Sequence, residues 1–147
     1  MVGVQSEQCM PVTRAYLNGD TQVRCWDAPI STIAGGISDP LVGYEGDGTL
    51  TLRTARASGG KMLSLTEEEI WHATQLVETK VGYYCEPTSA TAIGAVSKLW
   101  NEGFLKEGAI VVSVLTGHGF KYTGRRCDIP QPVSTAEQLE ALLKKTP

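Results

Sequence analysis

The chain has 147 residues, 41% hydrophobic and 20% charged, which is the composition of one globular domain rather than of a disordered or fibrous protein. A formal charge of -3 with no long basic run argues against nucleic-acid binding. The longest apolar run is too short to cross a bilayer, and the N-terminus lacks a signal-peptide pattern. Four cysteines without a Cys-x-x-Cys pair favour neither a zinc ribbon nor a disulfide framework. We therefore expect a single cytoplasmic domain, residues 1–147, with reduced thiols and no membrane contact.

The first third of the chain predicts a strand, a helix and a long loop. Residues 1–5 form an apolar run typical of a buried strand, and residues 6–17 have helical spacing, with Pro11 forcing a start or a kink. A core strand that begins at the first residue also suggests that the sequence has been cut from a longer chain. Residues 21–43 are rich in glycine and proline and lack periodicity, which predicts an irregular connection. Its apolar centre, residues 32–37, favours a loop packed near a site, although a loop that merely covers the core explains it equally well.

The middle of the chain alternates helices with strands. Residues 47–58 have a helical composition, and residues 61–65 read as a strand. Thr66 and Glu69 have the spacing of a capping box, which predicts a helix that continues to about residue 80. Residues 82–85 are expected to be short and extended.

The last part of the chain predicts a helix, the clearest strand and a C-terminal extension. The helix begins at residue 86, and the small residues of its first turns allow close packing on a sheet or a ligand. Residues 109–115 are nearly all apolar, which predicts a strand buried on both faces of a parallel sheet. Residues 128–147 are expected to form an extension with a final helix capped at residues 134–137. This alternation predicts an α/β fold of three layers, with an open, mostly parallel sheet and helices on both faces.

Two segments could carry chemistry where open α/β sheets bind ligands, beyond the carboxyl ends of the strands. The predicted strand 109–115 continues into Thr-Gly-His-Gly at residues 116–119, which provides a hydroxyl, a flexible backbone and an imidazole. Glu86 begins the preceding helix. Taken separately, each has a simpler explanation, because a tight turn accounts for the glycines and the helix dipole accounts for Glu86.

Taken together, the two segments resemble a known enzyme family. Glu-Pro-Thr-Ser-Ala at residues 86–90 is followed, after one helix, by Val-x-Val-Leu-Thr-Gly-His-Gly-Phe-Lys at residues 112–121. This order resembles the C-terminal part of fold-type II pyridoxal-phosphate enzymes, with threonine synthases as the nearest members. Residues 2–7 and 32–37 also resemble that family, so the resemblance extends from about residue 1 to residue 125.

The resemblance implies pyridoxal 5'-phosphate as the cofactor and Thr116 as the residue that hydrogen-bonds its pyridine nitrogen. A neutral hydroxyl cannot hold that nitrogen protonated as a carboxylate would, so the cofactor is a weaker electron sink. Such a sink suits elimination and replacement at an amino-acid side chain better than transamination. The resemblance also implies that the cofactor contacts Gly117, Gly119, Glu86, Ala34 and Gly35. It implies that the substrate contacts Thr32.

The implied reaction is the conversion of O-phospho-L-homoserine and water to L-threonine and phosphate. His118 favours this over the sibling threonine or serine dehydratases, which remain an alternative, as does a noncatalytic small-molecule-binding or regulatory module. The resemblance places the Schiff-base lysine and the phosphate-binding loop upstream of residue 1, whereas Lys121 matches a solvated downstream lysine. We therefore expect a C-terminal piece of a longer enzyme, inactive alone, that needs its N-terminal part, binds an amino-acid substrate and has a homodimer as one candidate assembly.

Overall fold

A computed structural model describes residues 1–122, 133 and 135–143 of the chain. In chain order, its main elements are β1 (Val2–Ser6), α1 (Pro11–Asn18), α2 (Glu45–Ala57), β2 (Lys61–Leu65), α3 (Glu67–Leu76), α4 (Pro87–Asn101) and α5 (Ala136–Leu143). Single 3-10 turns occupy Gly35–Ile37 and Gly119–Lys121, and a π-helical turn, Val77–Val81, extends α3. Within these ranges, the protein has no helix of the length and apolarity that a membrane span requires.

The two strands form a parallel sheet that lies between two layers of helices. Val2 is opposite Lys61 and Ser6 is opposite Leu65, so the strands are in register along their whole length. Helices α1 and α2 pack on one face of β2, while α3 and α4 pack on the other. Successive strand residues point to opposite faces, and Met62 accordingly belongs to a different core cluster from Leu63 and Leu65. The predicted α/β fold, with a parallel sheet and helices on both faces, is confirmed.

A separate apolar core lies on each side of the sheet. The core beneath α1 and α2 is centred on Leu52, which is fully buried. The core beneath α3 and α4 contains Leu65 and Ile70, which are also fully buried. Helix α4 approaches α3 closely because Gly94 has no side chain, and a Cβ there would lie 2.6 Å from Leu65 Cδ1 and 3.3 Å from Ala73 Cβ. The small residues of α4 therefore do pack against neighbouring elements, as predicted.

The prediction of a strand at residues 109–115 is wrong for this structure. The segment belongs to neither strand of the sheet, although it follows α4 and leads into the Thr-Gly-His-Gly sequence. Ile110 and Val112 are 96% and 85% exposed. A strand forms only when a neighbour accepts and donates its backbone hydrogen bonds, and no neighbouring strand is found in the described part of the chain. Residues 82–85 likewise form no strand, apart from one antiparallel bridge between Cys85 and His118.

The remaining boundaries follow local signals. Helix α1 begins later than predicted, at Pro11, because a proline that cannot donate a hydrogen bond is well placed in a first helical turn. The Thr66 capping box is present with both of its bonds, and the helix and its π-helical turn end at Gly82, whose φ of 70° is left-handed. Residues 21–43 are irregular except for one turn. Of the predicted extension 128–147, the described residues are 133 and 135–143, and the predicted cap at residue 134 lies outside them.

Candidate functional site

The hydroxyl of Thr116 is held at the N-terminal end of α4. Ser89, in the first turn of that helix and 2% exposed, lies with its Oγ 3.1 Å from Thr116 Oγ1. The same Ser89 oxygen accepts a hydrogen bond of 2.6 Å from the Gly117 N–H. Thr116 itself is exposed, whereas Gly117 is buried. The sequence Thr-Gly is therefore fixed on α4 by two contacts to one serine, with the threonine facing outward.

Both glycines of this segment lie so close to neighbouring side chains that a Cβ at either position would force those side chains to move. A Cβ on Gly117 would lie 2.3 Å from Glu86 Oε2, and a Cβ on Gly119 would lie 2.7 Å from the ring of Tyr84. The backbone is joined to residues 84–86 as well, since Glu86 N–H donates to Gly117 O at 3.3 Å and Gly119 N–H donates to Tyr84 O at 2.8 Å. The glycines thus allow the two predicted segments to contact each other directly.

His118 lies within an aromatic cluster rather than facing open solvent. Its ring meets those of Tyr83 and Tyr84 edge-on, with centroids 5.2 and 5.8 Å apart, and Phe120 is 4.5 Å away. Its Nδ1 accepts a hydrogen bond from the Phe120 N–H at 3.3 Å. The imidazole therefore has a structural role in this turn, since it holds residues 118–120 against residues 83–84.

The loop at residues 32–37 is fastened by a carboxylate from α3. Glu67 Oε2 accepts a hydrogen bond of 2.8 Å from the Ile33 N–H, and its Oε1 accepts one of 3.0 Å from the hydroxyl of Ser6, which is fully buried at the end of β1. Further along the loop, the Gly36 N–H donates to Thr88 Oγ1 at 3.1 Å. Glu67 and Thr88 therefore fix the position of the loop relative to β1 and α4.

A cavity of about 380 Å³ opens between this loop and the start of α4. It is lined by Thr32 and Gly35 from the loop, by Glu86 from the helix N-terminus and by Lys121 after the Thr-Gly-His-Gly turn, together with Ile33, Gly36, Pro87, Thr88 and Tyr122. Backbone groups, three hydroxyls, a carboxylate and an ammonium group therefore line one small space. This is the kind of mixed lining that orients a polar ligand.

The predicted site residues fall into two adjoining groups. Thr32, Gly35 and Glu86 line the cavity, while Thr116, Gly117 and Gly119 form the turn beside it, and Glu86 touches both groups. Ala34 is fully buried in the core under the loop, where its N–H donates to Thr32 Oγ1 at 3.1 Å. Ala34 therefore supports the loop from within the core. The predicted contact between Ala34 and the cofactor stays a prediction.

Two residues of the site were not predicted. Ser89 holds Thr116, and Glu67 holds the loop, yet each acts through partners 27 to 61 positions away in the chain. The only local sign was a serine in the first turn of a helix and a glutamate in the first turn of another, which helix capping explains equally well. Lys121, interpreted from sequence as a solvated lysine, is exposed and also lines the cavity.

Cys85 lies directly behind the turn, and its thiol is not poised for reaction. Burial, followed by the nearby carboxylates of Glu86 and Glu78, raises the pKa of the Cys85 thiol. Burial and Asp39 likewise raise the pKa of the Cys9 thiol. A thiol with a raised pKa keeps its proton to a higher pH, and the thiolate is the reactive form. Neither cysteine is therefore a candidate nucleophile.

The low reactivity expected of Cys9 and Cys85 can be measured with iodoacetamide at pH 8. Peptide mass mapping follows the alkylation of each cysteine. We expect Cys9 and Cys85 to be alkylated at least about tenfold more slowly than the half-buried Cys25. Each buried thiol must first lose its proton, and the structure around it must open to admit the reagent. In urea, the three rates should become similar, which is the internal control. Fast labelling of Cys85 in the folded chain would contradict this arrangement.

A family model described as "Pyridoxal-phosphate dependent enzyme" matches residues 1–117, which contain both strands, the loop, α4 and the Thr-Gly of the turn. The chain therefore belongs to the pyridoxal-phosphate-dependent enzymes, and the resemblance predicted from the sequence is confirmed. Pyridoxal phosphate is accordingly the cofactor of its family.

Within that family, the chain is similar to threonine synthases. It is 31% identical over 121 residues to threonine synthase of Methanocaldococcus jannaschii, covering 82% of this chain and 29% of that protein. It is 39% identical over 80 residues to threonine synthase of Halalkalibacterium halodurans, covering 54% of this chain and 23% of the relative. The chain thus spans less than a third of the length of these relatives.

The fold is also similar to that of a solved structure, the threonine deaminase of T.th. That comparison has a TM-score of 0.54 and 25% identity, and it covers 68% of this chain and 34% of the deaminase. Threonine synthase and threonine deaminase relatives therefore both match, as the family resemblance predicted.

The residues present suit one side of a bound pyridoxal ring. An exposed threonine hydroxyl with a fixed oxygen can bond to a ring nitrogen. The space that side chains at residues 117 and 119 would take is filled by Glu86 and by the Tyr84 ring, which pack against this turn and support it from behind. The chemistry of this donor set is neutral at the nitrogen, because Thr116 and Ser89 carry no charge. The described residues therefore fit the pyridine end of the cofactor.

Proposed function

We propose that this chain is the C-terminal part, residues 1–147, of a threonine-synthase-like enzyme that converts O-phospho-L-homoserine and water to L-threonine and phosphate in the cytoplasm. The observation that carries the proposal is the Thr116 hydroxyl, which faces outward while Ser89 holds its oxygen at 3.1 Å. The similarity to threonine synthases over 82% of the chain supports this choice of reaction. The proposal assigns the Schiff-base lysine and the phosphate-binding loop to an N-terminal part of the enzyme, and the greater length of the relatives supports this assignment.

When bound, pyridoxal phosphate supplies the electron sink for bond breaking at the amino-acid carbon atoms. The role of this chain is to bind the pyridine nitrogen without protonating it. Ser89 accepts the Gly117 N–H, and its own hydroxyl hydrogen is available for donation to Thr116 Oγ1, which lies 3.1 Å away. Thr116 can then donate its own hydrogen outward to the ring nitrogen. With Ser89 as the donor to Thr116, the three bonds would form a directed chain in which each bond strengthens the next.

The cavity beside the turn is the place for the polar end of the amino-acid substrate. Thr32 and the backbone of Gly35 offer hydrogen bonds on one side, and Lys121 offers a positive charge on the other. Glu86 separates this cavity from the backbone of Gly117, since it lines the one and touches the other. The carboxylate therefore orients groups that lie between the cofactor ring and the substrate.

A threonine or serine dehydratase is the second candidate, and the structural similarity to a threonine deaminase favours it. The synthase and dehydratase reactions both need a neutral partner for the ring nitrogen. Thr116 therefore does not distinguish between the two functions. A noncatalytic module that retains the small-molecule site is the third candidate.

The test is to complete the enzyme and identify its product. The chain is coexpressed with the part of M. jannaschii threonine synthase that precedes the matched region, and the purified assembly is given O-phospho-L-homoserine or L-threonine. Release of threonine and phosphate from the first substrate supports the proposal. Release of ammonia and a 2-oxo acid from threonine alone would favour the dehydratase, and an assembly that binds the cofactor without turnover would favour the module.

Thr116 is tested by two substitutions in that assembly. Thr116→Val keeps the shape but removes the hydroxyl, and we expect cofactor binding to weaken by about 0.5–1.5 kcal/mol, which is roughly 2- to 12-fold. Thr116→Ser keeps the hydroxyl and should bind the cofactor as the parent does. Cofactor binding is measured by titration of the cofactor absorbance. If Thr116→Val bound the cofactor as tightly as the parent does, the Thr116 hydroxyl would not contact it.

The contribution of Ser89 is tested in the chain alone. Ser89→Ala leaves the buried Gly117 N–H without its acceptor, and we expect the free energy of unfolding to fall by about 1–3 kcal/mol. The amide of Gly117 should exchange faster with deuterium, which a general loss of packing in α4 would not produce selectively. Ser97→Ala, on the exposed side of the same helix, is the matched control and should change neither quantity.

A further inference from the structure

The cavity beside the Thr-Gly-His-Gly turn is lined by two opposite charges that are not paired with each other. Lys121 provides an ammonium group and Glu86 provides a carboxylate. The ion pairs found among the described residues join other partners, namely Arg14 with Asp27, Lys61 with Glu102 and Lys98 with Glu69. Both charges of the cavity are therefore available to a ligand.

Two threonine hydroxyls add hydrogen-bond donors to the same cavity. Thr32 Oγ1 accepts the Ala34 N–H at 3.1 Å. Thr88 Oγ1 likewise accepts the Gly36 N–H at 3.1 Å. A hydroxyl accepts through its lone pairs and donates its one hydrogen, so each of these bonds fixes the oxygen and leaves the hydrogen for another acceptor. Both threonines line the cavity, which can therefore receive two hydroxyl donors beside the ammonium group.

This donor set favours an anion with several oxygen atoms. A phosphate group accepts hydrogen bonds at each of its terminal oxygens, and a lysine ammonium binds it as a point charge. Pro87 and Thr88, the first residues of α4, also line the cavity, and the positive end of the helix dipole favours negative charge there. Glu86 repels an anion, so the phosphate is expected at the Lys121 end of the cavity.

We propose that Lys121 is a specificity-determining residue, which binds the phosphate group of a phosphorylated amino-acid substrate together with the hydroxyls of Thr32 and Thr88. This inference rests on the proposed function, since it identifies the part of the substrate that the cavity binds. It also separates the synthase reaction from the dehydratase reaction, because L-threonine has no phosphate group for Lys121 to bind.

The first experiment measures ligand binding to the chain alone by NMR titration. The probes are O-phospho-L-homoserine and L-homoserine, which differ only in the phosphate group. We expect the amide signals of Gly35, Gly36 and Lys121 to shift with the phosphorylated ligand. The affinity for L-homoserine should be at least about tenfold lower, because its hydroxyl cannot form the charge-assisted bonds. Equal affinities for the two ligands would overturn the proposal.

Three variants assign this difference to Lys121. Lys121→Ala should lower the affinity for O-phospho-L-homoserine at least about tenfold. Lys121→Arg keeps the positive charge and should stay within about threefold of the parent. Lys80→Ala removes an exposed lysine elsewhere in the chain, so it is the matched control and should bind like the parent. If Lys80→Ala lost as much affinity as Lys121→Ala, a general charge effect would replace the proposed contact.

The assembly with the upstream part of M. jannaschii threonine synthase separates this proposal from the proposed function. In that assembly, Lys121→Ala should raise the KM for O-phospho-L-homoserine at least about tenfold. Its affinity for the cofactor should not change, since Lys121 lies outside the contacts that hold Thr116. Release of threonine by Lys121→Ala with the KM of the parent would overturn the role of Lys121 and leave the proposed function in place.

The opposite result is equally clear. An assembly that releases no threonine would overturn the proposed function. Binding of O-phospho-L-homoserine to the chain alone would still support the phosphate contact if that binding were lost in Lys121→Ala.

Discussion

Replacement of Leu52 by alanine is expected to lower the free energy of unfolding by about 2–5 kcal/mol, because a fully buried leucine is lost from the core under α1 and α2. The loss combines the transfer of the removed methyl groups with the cavity that they leave. The measurement is a urea titration followed by circular dichroism. If the domain is marginally stable, the variant is largely unfolded without denaturant.

Leu50→Ala is the matched control for this prediction. Leu50 lies in the same helix, two positions earlier, and is 64% exposed. Its truncation should change the free energy of unfolding by less than about 0.5 kcal/mol. Similar losses for both variants would show that the α2 face assigned to the core is wrong.

Replacement of Glu67 by glutamine is expected to release the loop at residues 32–37 and to destabilise the fold by about 1.5–3 kcal/mol. Both carboxylate oxygens accept hydrogen bonds, from Ser6 and from the Ile33 N–H. An amide has only one accepting oxygen, and its NH2 group would face a donor. We therefore expect the amide of Ile33 to exchange faster and the cavity beside Thr32 to lose its shape.

Glu68→Gln controls for the loss of charge. Glu68 is exposed in the same first turn of α3, so this substitution removes the same favourable interaction with the helix dipole without touching the loop. Its effect should stay below about 1 kcal/mol, and Ile33 exchange should not change. If the two variants behaved alike, the carboxylate of Glu67 would have no specific role in holding the loop.

What could be predicted from the sequence depends on how local the signal is. The strand at residues 61–65 and the capping box of Thr66 and Glu69 were located to the residue, because glycines and a cap mark them within a few positions. The apolar run at residues 109–115 carries an equally clear strand signal, yet it forms no strand here. Pairing is a property of two segments, and the described part of the chain does not supply the second one.

The candidate site shows the same division. The Thr-Gly-His-Gly turn and Glu86 could be proposed together from motif order, and the structure brings Gly117 against Glu86. The residues that hold the site in place, Ser89 and Glu67, could not be found, since their partners are distant in the chain and common residue types carry the contacts. Such contacts are visible only once the helices are packed.

The anchoring of Thr116 has a consequence for the order in which the site is assembled. Thr116 and Gly117 are fixed by Ser89, and Gly119 by Tyr84, all within this chain, whereas the backbone of residues 110–115 has no partner among the described residues. The hydroxyl is therefore preorganised, so its rotational entropy is already lost before any cofactor arrives. The entropy cost of ordering residues 110–115, whose backbone carries no such bonds among the described residues, is separate from this one, although the two parts are continuous in the chain.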